Sequence, residues 1–251
     1  MIKLSDRLQM IADLIEEGQT VADVGTDHGF LPIFLWESKK SSKVILADIS
    51  KGSLQKAIDN VYMQNYNEET IKKCFDFRLG NGIQILKNGE VDVIVIAGMG
   101  GILMTEILGE NLPKTKSIKK IILQPRNGQG KLRWWLINNG FILKEEKLVR
   151  EGKFICEIIC AEASNNDSNA IKLPMEEESP LKKQSEDIKY ELPESILINN
   201  GTLALEFTER KLKAELEIYE NMRKATFIDS EKINQVKFRI LYLQNLLNKY
   251  Q

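Results

Sequence analysis

A glycine turn that carries charged side chains lies early in the sequence, in the stretch VADVGTDHG at residues 21–29. The apolar residues before the turn predict a buried strand. A turn that binds a pyrophosphate offers bare backbone N–H groups, and the negative charge of Asp27 would repel such a ligand. Asp27 therefore favours a ligand that is cationic at its reactive end. The alternative is that Asp27 caps the helix that follows the turn.

A second acidic residue, Asp48, closes the next apolar segment, KVILAD. An acid in this place accepts hydrogen bonds from ribose hydroxyls in proteins that bind dinucleotides or S-adenosylmethionine. This feature alone leaves both ligands open. The charge of Asp27 favours S-adenosylmethionine, because that molecule has no phosphate and carries a sulfonium and an ammonium group.

Three glycines end the fourth apolar segment, in AGMGG at residues 97–101. Enzymes that methylate an exocyclic amine of a base commonly have Asp or Asn, two prolines and an aromatic residue here, and this chain has none of them. We infer that the glycines let the backbone approach a flat ligand closely. The alternative is a tight strand-to-helix turn without ligand contact.

His28 is the only histidine, so the chain cannot form a pair of imidazole ligands, and we predict no metal site. A lone histidine in a turn is more often a hydrogen-bonded structural residue than a catalyst. The three cysteines, Cys74, Cys156 and Cys160, lack a CxxC spacing. They therefore indicate neither a disulfide framework nor a zinc site.

Apolar segments alternate with amphipathic helical segments through residues 1–162, which predicts an α/β domain with a doubly wound, Rossmann-like parallel sheet. The predicted strands lie in residues 20–25, 43–50, 75–82, 91–101 and 118–128. Ligands of such sheets bind beyond the carboxyl ends of the strands. Two runs of period two around Gly152 predict a β-hairpin that adds antiparallel strands to one edge.

The composition changes after residue 162. Residues 163–189 are polar and charged and contain two prolines, which is typical of a linker. Residues 190–251 form a predicted C-terminal helical domain with two long helical stretches, 203–225 and 231–250. The apolar residues of the second stretch repeat at three-four spacing, and the first stretch offers a seam of Leu205, Leu212, Leu216 and Tyr219. This predicts an antiparallel coiled-coil hairpin within one chain, and the less economical alternative is an intermolecular coil.

Charge and hydropathy limit the classes of function. The chain has 35 basic and 36 acidic residues, so any nucleic-acid surface must be a local patch. No apolar run approaches the roughly 18 residues that a membrane span needs. We therefore expect a cytoplasmic protein without a membrane partner, and we favour a monomer.

Several motifs together carry a resemblance. ADVGTDHGFLP, ILADIS, GNG, VIAGMGG, LQPRNG and LRWWLINNGF occur in this order ahead of the helical hairpin. In this combination the chain resembles the bacterial tRNA (adenine-22) N1-methyltransferase family. The resemblance implies a class I methyltransferase fold, S-adenosylmethionine as methyl donor and tRNA as substrate. Gly29 departs from the family, which usually has alanine there; this should loosen the turn without removing a functional group.

The resemblance also assigns roles to residues at the strand ends. Asp23, Gly25 and Gly29 would line the methionine part of the donor, Asp48 its ribose and Asn81 its adenine edge. Gly98 and Met99 would face the transferring methyl group. Met99 is one catalytic candidate, and the other is Asp27, whose carboxylate suits a cationic product. The predicted cofactor-binding residues are Asp23, Gly25, Thr26, His28, Gly29, Asp48, Ile49, Asn81, Gly82 and Gly98.

Cations near loop ends are the candidates for contact with RNA. They are Arg7, Arg78, Arg126, Lys131, Arg133 and Arg150. For each one, the alternative is a solvated surface charge. Trp134 lies off the apolar stripe of its helix, so it is either a stacking platform or packed against the hairpin. Trp135 lies on the stripe and is predicted to be in the core.

The resemblance makes N1 of adenine the acceptor atom. This nitrogen is a neutral lone pair at physiological pH, so positioning and charge placement should carry most of the rate. Since N1 lies on the Watson–Crick edge, the base must first leave its stack. The alternatives are a methyltransferase of another RNA, an NAD-dependent oxidoreductase, which Asp27 disfavours, and a non-catalytic S-adenosylmethionine-binding protein whose coiled coil recruits a partner.

Overall fold

The computed structural model describes residues 2–164, 187–224 and 229–250. Its strands are β1 Val21–Val24, β2 Val44–Asp48, β3 Phe75–Leu79, β4 Val93–Gly100, β5 Lys120–Asn127, β6 Phe141–Glu151 and β7 Phe154–Ala163. The helices up to β7 are α1 Asp6–Asp13, α2 Phe30–Glu37, α3 Lys51–Tyr62, α4 Glu68–Cys74, α5 Gly101–Gly109, α6 Leu112–Lys116 and α7 Gln129–Asn138, with a 3-10 helix at Gly82–Ile85.

The seven strands form one sheet in the order β3-β2-β1-β4-β5-β7-β6. The first five are parallel, β7 is antiparallel to β5, and β6 is antiparallel to β7. The predicted doubly wound sheet with a terminal hairpin at one edge is thus confirmed. This topology brings the end of β6 and the start of β7 to the same edge as the carboxyl ends of the parallel strands.

The central strands are buried on both faces, which explains their continuous apolar runs. Val93 and Val95 of β4 pack into a core cluster that includes residues of α1 and α2. Ile94 and Ile96 point the other way, into a cluster that includes residues of α5 and α7. Helices on both faces leave the carboxyl edge of the sheet as the place for a ligand site.

The C-terminal region consists of helices α8 Ile188–Glu191, α9 Glu194–Arg223 and α10 Ser230–Tyr250. Within α9, Gly201 has non-helical backbone angles, with φ 53° and ψ −136°. Ala204 shares a cluster with Leu243 of α10, whereas the later Glu215 pairs with the earlier Arg239. The two long helices therefore run antiparallel, and the helical character of this region is confirmed.

The contact seam of this helix pair differs from the predicted one. Leu216, predicted to lie in the seam, is 41% exposed, whereas Glu215 is only 8% exposed. The reason is a charged pair in the interface, because Glu215 Oε1 accepts a hydrogen bond from Arg239 Nε at 2.8 Å. A pattern of apolar residues alone could not place this carboxylate inside.

Most of the predicted linker, residues 165–186, lies outside the described residues, and the domain boundaries stay predictions. None of the helices in the described ranges is both long enough and apolar enough to cross a membrane.

Candidate active site

The glycine turn folds back over the end of β2. The backbone N–H groups of Gly25 and Thr26 both donate to the carbonyl of Ala47, at 2.8 and 3.1 Å. Gly25 has φ 82° and Gly29 has φ 68°, in the left-handed region that glycine adopts without strain. The turn therefore brings the first two strand ends together, as a site at this edge requires.

Asp23, just before the turn, is a buried carboxyl group. It is 7% exposed, and burial raises its pKa to about 6. The charge of Asp48 raises the pKa further, while the Thr26 hydroxyl and the Arg7 cation partly oppose the shift. A buried carboxylate of this kind is stabilised by a cationic ligand, and the ammonium group of a methionine moiety is one.

This pKa gives a pH prediction for donor binding. If the ammonium group of S-adenosylmethionine pairs with ionised Asp23, affinity should be constant near pH 7 and fall by up to about tenfold per pH unit below pH 6. Titration calorimetry between pH 5 and 7, where the donor's amino group stays charged, measures this. The Asp23→Asn variant should bind weakly with a flat profile, and a flat wild-type profile would contradict the pairing.

Protonation of Asp23 at acidic pH does not destabilise the folded protein, so it would not lower the donor affinity by unfolding the chain. Its pKa in the folded protein lies above the ordinary value of 3.8, so the folded state binds the proton more tightly than the unfolded chain. The stabilisation from its protonation is present at low pH and is lost as pH rises through about 6.

Asp27 lies on the outside of the turn and is half exposed. Its carboxylate is 3.3 Å from both Lys56 Nζ and His28 Nε2. Slight burial raises its pKa, but the hydrogen bond from Lys56 and the nearby positive charges outweigh this and lower the pKa. The capping alternative is wrong, because Gly29 is the N-cap of α2 and no side chain in the described part of the chain caps that helix.

His28 is held by neighbours within the turn region. Its carbonyl accepts a hydrogen bond from Asn60 Nδ2 at 2.9 Å, and its ring stacks on Phe30 at a centroid distance of 5.3 Å. These contacts agree with a structural role, and ligand contact by His28 stays a prediction.

Further candidate residues of the site lie at the carboxyl ends of β2 and β3. Asp48 Oδ1 accepts from the backbone of Ser50 at 2.7 Å, and the Asp48 carbonyl accepts from Gly80 at 3.0 Å. Ile49 is 71% exposed, which is unusual for an aliphatic side chain and suits contact with a flat base. Asn81 is exposed at the start of the 3-10 helix.

Gly82 is better explained by packing than by a ligand. It is buried, and a Cβ atom there would lie 2.8 Å from Ile107 Cγ2 of α5. The absence of a side chain lets the 3-10 helix approach α5. Packing therefore accounts for this glycine, and cofactor contact by Gly82 stays a prediction.

A bulge at the end of β4 directs Met99 towards the glycine turn. The pairing with β5 shifts register between Ala97 and Met99 and again before Gly100. Gly98 within the bulge has φ 78°. A Cβ atom at Gly25 would lie only 2.1 Å from Met99 Cε, so Met99 packs directly on the turn. The structure thus brings together two glycine motifs that are about 70 residues apart in the chain.

Gln124 of β5 fixes this bulge, and the sequence analysis missed it. Its side chain is 3% exposed, and its Oε1 accepts from Gly98 N at 3.1 Å and from Arg7 Nη1 at 2.9 Å. Arg7 Nε also donates to Glu151 Oε2 at 2.8 Å. Arg7, which was predicted to contact RNA, therefore links Gln124 to Glu151 through hydrogen bonds at the edge of the site.

The structure contradicts RNA contact by Arg133. Its side chain is 1% exposed and forms ion pairs with Glu146 at 2.5 Å and Glu157 at 2.6 Å. Its Nη1 donates to the carbonyls of Tyr190 and Glu191. The guanidinium joins α7, both strands of the hairpin and α8, so its role is to stabilise the packing of these elements.

Arg78 is also engaged within the protein. Its guanidinium donates to the carboxylates of Asp76 and Glu90 and to the carbonyl of Ile85. The hydrogen bonds that it donates to Glu90, and after them those that it donates to Asp76, raise its pKa above the ordinary value. Two carboxylates neutralise its charge, which lowers its attraction for phosphate, and contact of Arg78 with RNA stays a prediction.

The remaining RNA candidates differ in exposure. Arg126, Lys131 and Arg150 are all exposed, and Arg150 pairs with Glu206. Trp134 is half-buried, with a buried Nε1 that has no hydrogen-bond partner among the described residues, and Trp135 stacks on Phe141. Contact of Arg126, Lys131, Arg150 or Trp134 with RNA stays a prediction.

The methyltransferase domain family matches residues 4–159. The fold and the paired glycine turns at the sheet edge are therefore those of an S-adenosylmethionine-dependent methyltransferase. Within this class, the chain belongs to the bacterial tRNA (adenine-22) N1-methyltransferase family. It is 34% identical to the tRNA (adenine(22)-N(1))-methyltransferase of Bacillus subtilis strain 168, over 66% of this chain and 68% of the relative.

Solved structures agree with this assignment. The B. subtilis m1A22 tRNA methyltransferase TrmK is 27% identical, with a TM-score of 0.78 over 98% of this chain and 100% of that chain. A Streptococcus pneumoniae protein, assigned as a tRNA (m1A22) methyltransferase and solved with S-adenosyl-L-methionine, is 26% identical, with a TM-score of 0.74 over 98% and 100% of the chains. Membership of this family excludes the oxidoreductase alternative.

Proposed function

We propose that this protein transfers the methyl group of S-adenosylmethionine to N1 of the adenine at position 22 in the D-arm of tRNA. The observation that carries the proposal is the packing of Met99 against Gly25, which joins the two glycine motifs of the family at one sheet edge. In the reaction, the N1 lone pair forms the new N–C bond. The S–C bond breaks and its electron pair returns to sulfur, giving S-adenosylhomocysteine and cationic 1-methyladenine.

The donor takes its place along the ends of β1, β2 and β3. Buried Asp23 pairs with its ammonium group, and Asp48 accepts hydrogen bonds from the ribose hydroxyls. Ile49 and Asn81 border the adenine. The methyl group then points towards Gly98 and Met99. No proton has to be removed from neutral N1, so the protein contributes mainly by holding the two reactants in line.

A pair of tRNA transcripts tests the acceptor atom. One transcript carries adenine at position 22 and the other carries guanine, whose N1 holds a proton at neutral pH. Labelled methyl groups should appear only on the adenine transcript. Equal labelling of both transcripts would place the acceptor elsewhere.

Asp27 is the carboxylate proposed to stabilise the positive charge that develops on the base. We expect Asp27→Asn to lower kcat on the order of tenfold while S-adenosylmethionine affinity stays unchanged, a modest effect because the site is partly solvated. Asp59→Asn, at an exposed acid of α3, is the matched control. Normal turnover by Asp27→Asn would remove Asp27 from the mechanism.

We further propose that the chain acts as a monomer in the cytoplasm and needs no metal. Within the described residues, no group of three or more His, Cys, Asp or Glu side chains could hold a metal ion. Size-exclusion chromatography with light scattering tests the monomer, and turnover in the presence of a chelator tests the independence from metal.

A further inference from the structure

The sheet opens between β5 and β7 at the edge that carries the glycine turns. Residues 121–123 of β5 pair with residues 159–161 of β7, and within the described residues these two strands are not paired further towards this edge. There β5 continues beside β4, while the start of β7 pairs with β6. The diverging strands enclose a cavity of about 480 Å³, which we call the wedge cavity.

The wedge cavity combines an aromatic ring with charged and polar groups. Its walls include Arg7, Gln124, Arg126, Glu151, Phe154 and Glu157. The size lies within the range of roughly 300–1,000 Å³ that is common for small-molecule sites. Phe154 is 62% exposed at the mouth, so its ring is open to stacking with a nucleobase.

The wedge cavity borders the proposed place of methyl transfer. Gln124 in its wall holds the backbone N–H of Gly98. Arg126 Nη2 would lie 3.6 Å from a Cβ atom at Gly98, so its guanidinium covers the same bulge. Arg126 makes no ion pair within the described residues, and its charge suits the phosphate of a nucleotide. A base in the cavity therefore lies next to the donor site.

Glu157 supplies an acceptor that the protein itself does not use. It is 2% exposed, and its Oε2 accepts from Arg133 Nη2 at 2.6 Å. Its Oε1 is buried and has no hydrogen-bond partner among the described residues. Buried polar atoms are nearly always paired, and a ligand in the cavity with an N–H group would supply the donor that this oxygen lacks. The exocyclic amine of adenine is such a donor and is adjacent to N1.

We propose that the wedge cavity receives the acceptor adenine of the tRNA. Phe154 is the stacking face for the base, and Glu157 Oε1 accepts a hydrogen bond from its exocyclic amine. This inference rests on the proposed function, because it names the pocket for the base that the reaction modifies.

Steady-state kinetics with adenine-22 tRNA test the stacking. We expect Phe154→Ala to lower kcat/KM for tRNA by about tenfold or more, while Phe154→Tyr keeps most of it. Ile142→Ala, an exposed apolar residue near the opposite end of the hairpin, is the control and should leave kcat/KM unchanged. Calorimetry should give the same S-adenosylmethionine affinity for all four proteins. If the wild type methylates the tRNA and Phe154→Ala has the same kcat/KM, the adenine pocket is refuted while the proposed function stands.

A modified substrate tests the amine contact separately from folding. Glu157→Gln keeps one oxygen for Arg133 and can turn an NH₂ donor towards the cavity, so kcat/KM on adenine-22 tRNA should fall by about tenfold. On tRNA with unsubstituted purine at position 22, which lacks the amine, the variant should match the wild type. Equal losses on both substrates refute the amine contact. A wild type that methylates no adenine N1 refutes the proposed function and this pocket with it.

Discussion

Replacement of Arg133 by alanine is expected to lower the free energy of unfolding by about 3–5 kcal/mol. The loss is large because Glu146 and Glu157 are 5% and 2% exposed and would be left as buried charges without their cation. The two hydrogen bonds to the carbonyls of α8 would also disappear, so the C-terminal helices should loosen. Urea unfolding followed by circular dichroism measures the change.

Arg150→Ala is the matched control for this experiment. Arg150 also pairs with a carboxylate, Glu206, but both side chains are more than a third exposed. Exposed pairs contribute about 0–1 kcal/mol, so this variant should unfold close to the wild type. Equal destabilisation by the two substitutions would contradict the stabilising role of the buried Arg133 ion pairs.

Replacement of Asp48 by alanine is expected to weaken S-adenosylmethionine binding by about tenfold to a hundredfold. The loss of hydrogen bonds between a charged carboxylate and the ribose hydroxyls corresponds to about 1.5–3 kcal/mol. Titration calorimetry at pH 7 measures it directly. Asp48→Asn should lose less, because the amide oxygen still accepts a hydrogen bond.

The Asp48 experiment needs a check on local structure, because Asp48 Oδ1 also holds the backbone of Ser50 at the start of α3. Thermal unfolding of both variants shows whether that contact matters for the fold. Asp13→Ala, at an exposed acid of α1, should bind the donor like the wild type. Unchanged donor affinity in a folded Asp48→Ala protein would remove Asp48 from the site.

The sheet was predictable because its strands are short apolar runs separated by glycine-rich turns and amphipathic helices. The β-hairpin was predictable from the period-two runs around Gly152. The seam of the C-terminal helices was predicted less well, since apolar spacing favoured Leu216, whereas the buried residue is Glu215. The Glu215 carboxylate lies inside the helix interface because Arg239 of the other helix donates a hydrogen bond to it.

The proposed site was partly predictable, because its candidates follow strand ends that a parallel sheet brings to one edge. Gln124 could not be recognised, since its role depends on Gly98 and on Arg7, which are distant in the sequence. Arg133 was assigned to the surface for a related reason. Its partners Glu146 and Glu157 lie on two later strands, and their approach depends on tertiary packing.

Methyl transfer from labelled S-adenosylmethionine to unmodified bacterial tRNA, with the product nucleoside identified and mapped, is the most direct test of the proposed function. The proposed function predicts 1-methyladenosine at position 22 of the D-arm as the labelled product. Label in another nucleoside or position, or no label from a protein that binds the donor normally, would contradict it.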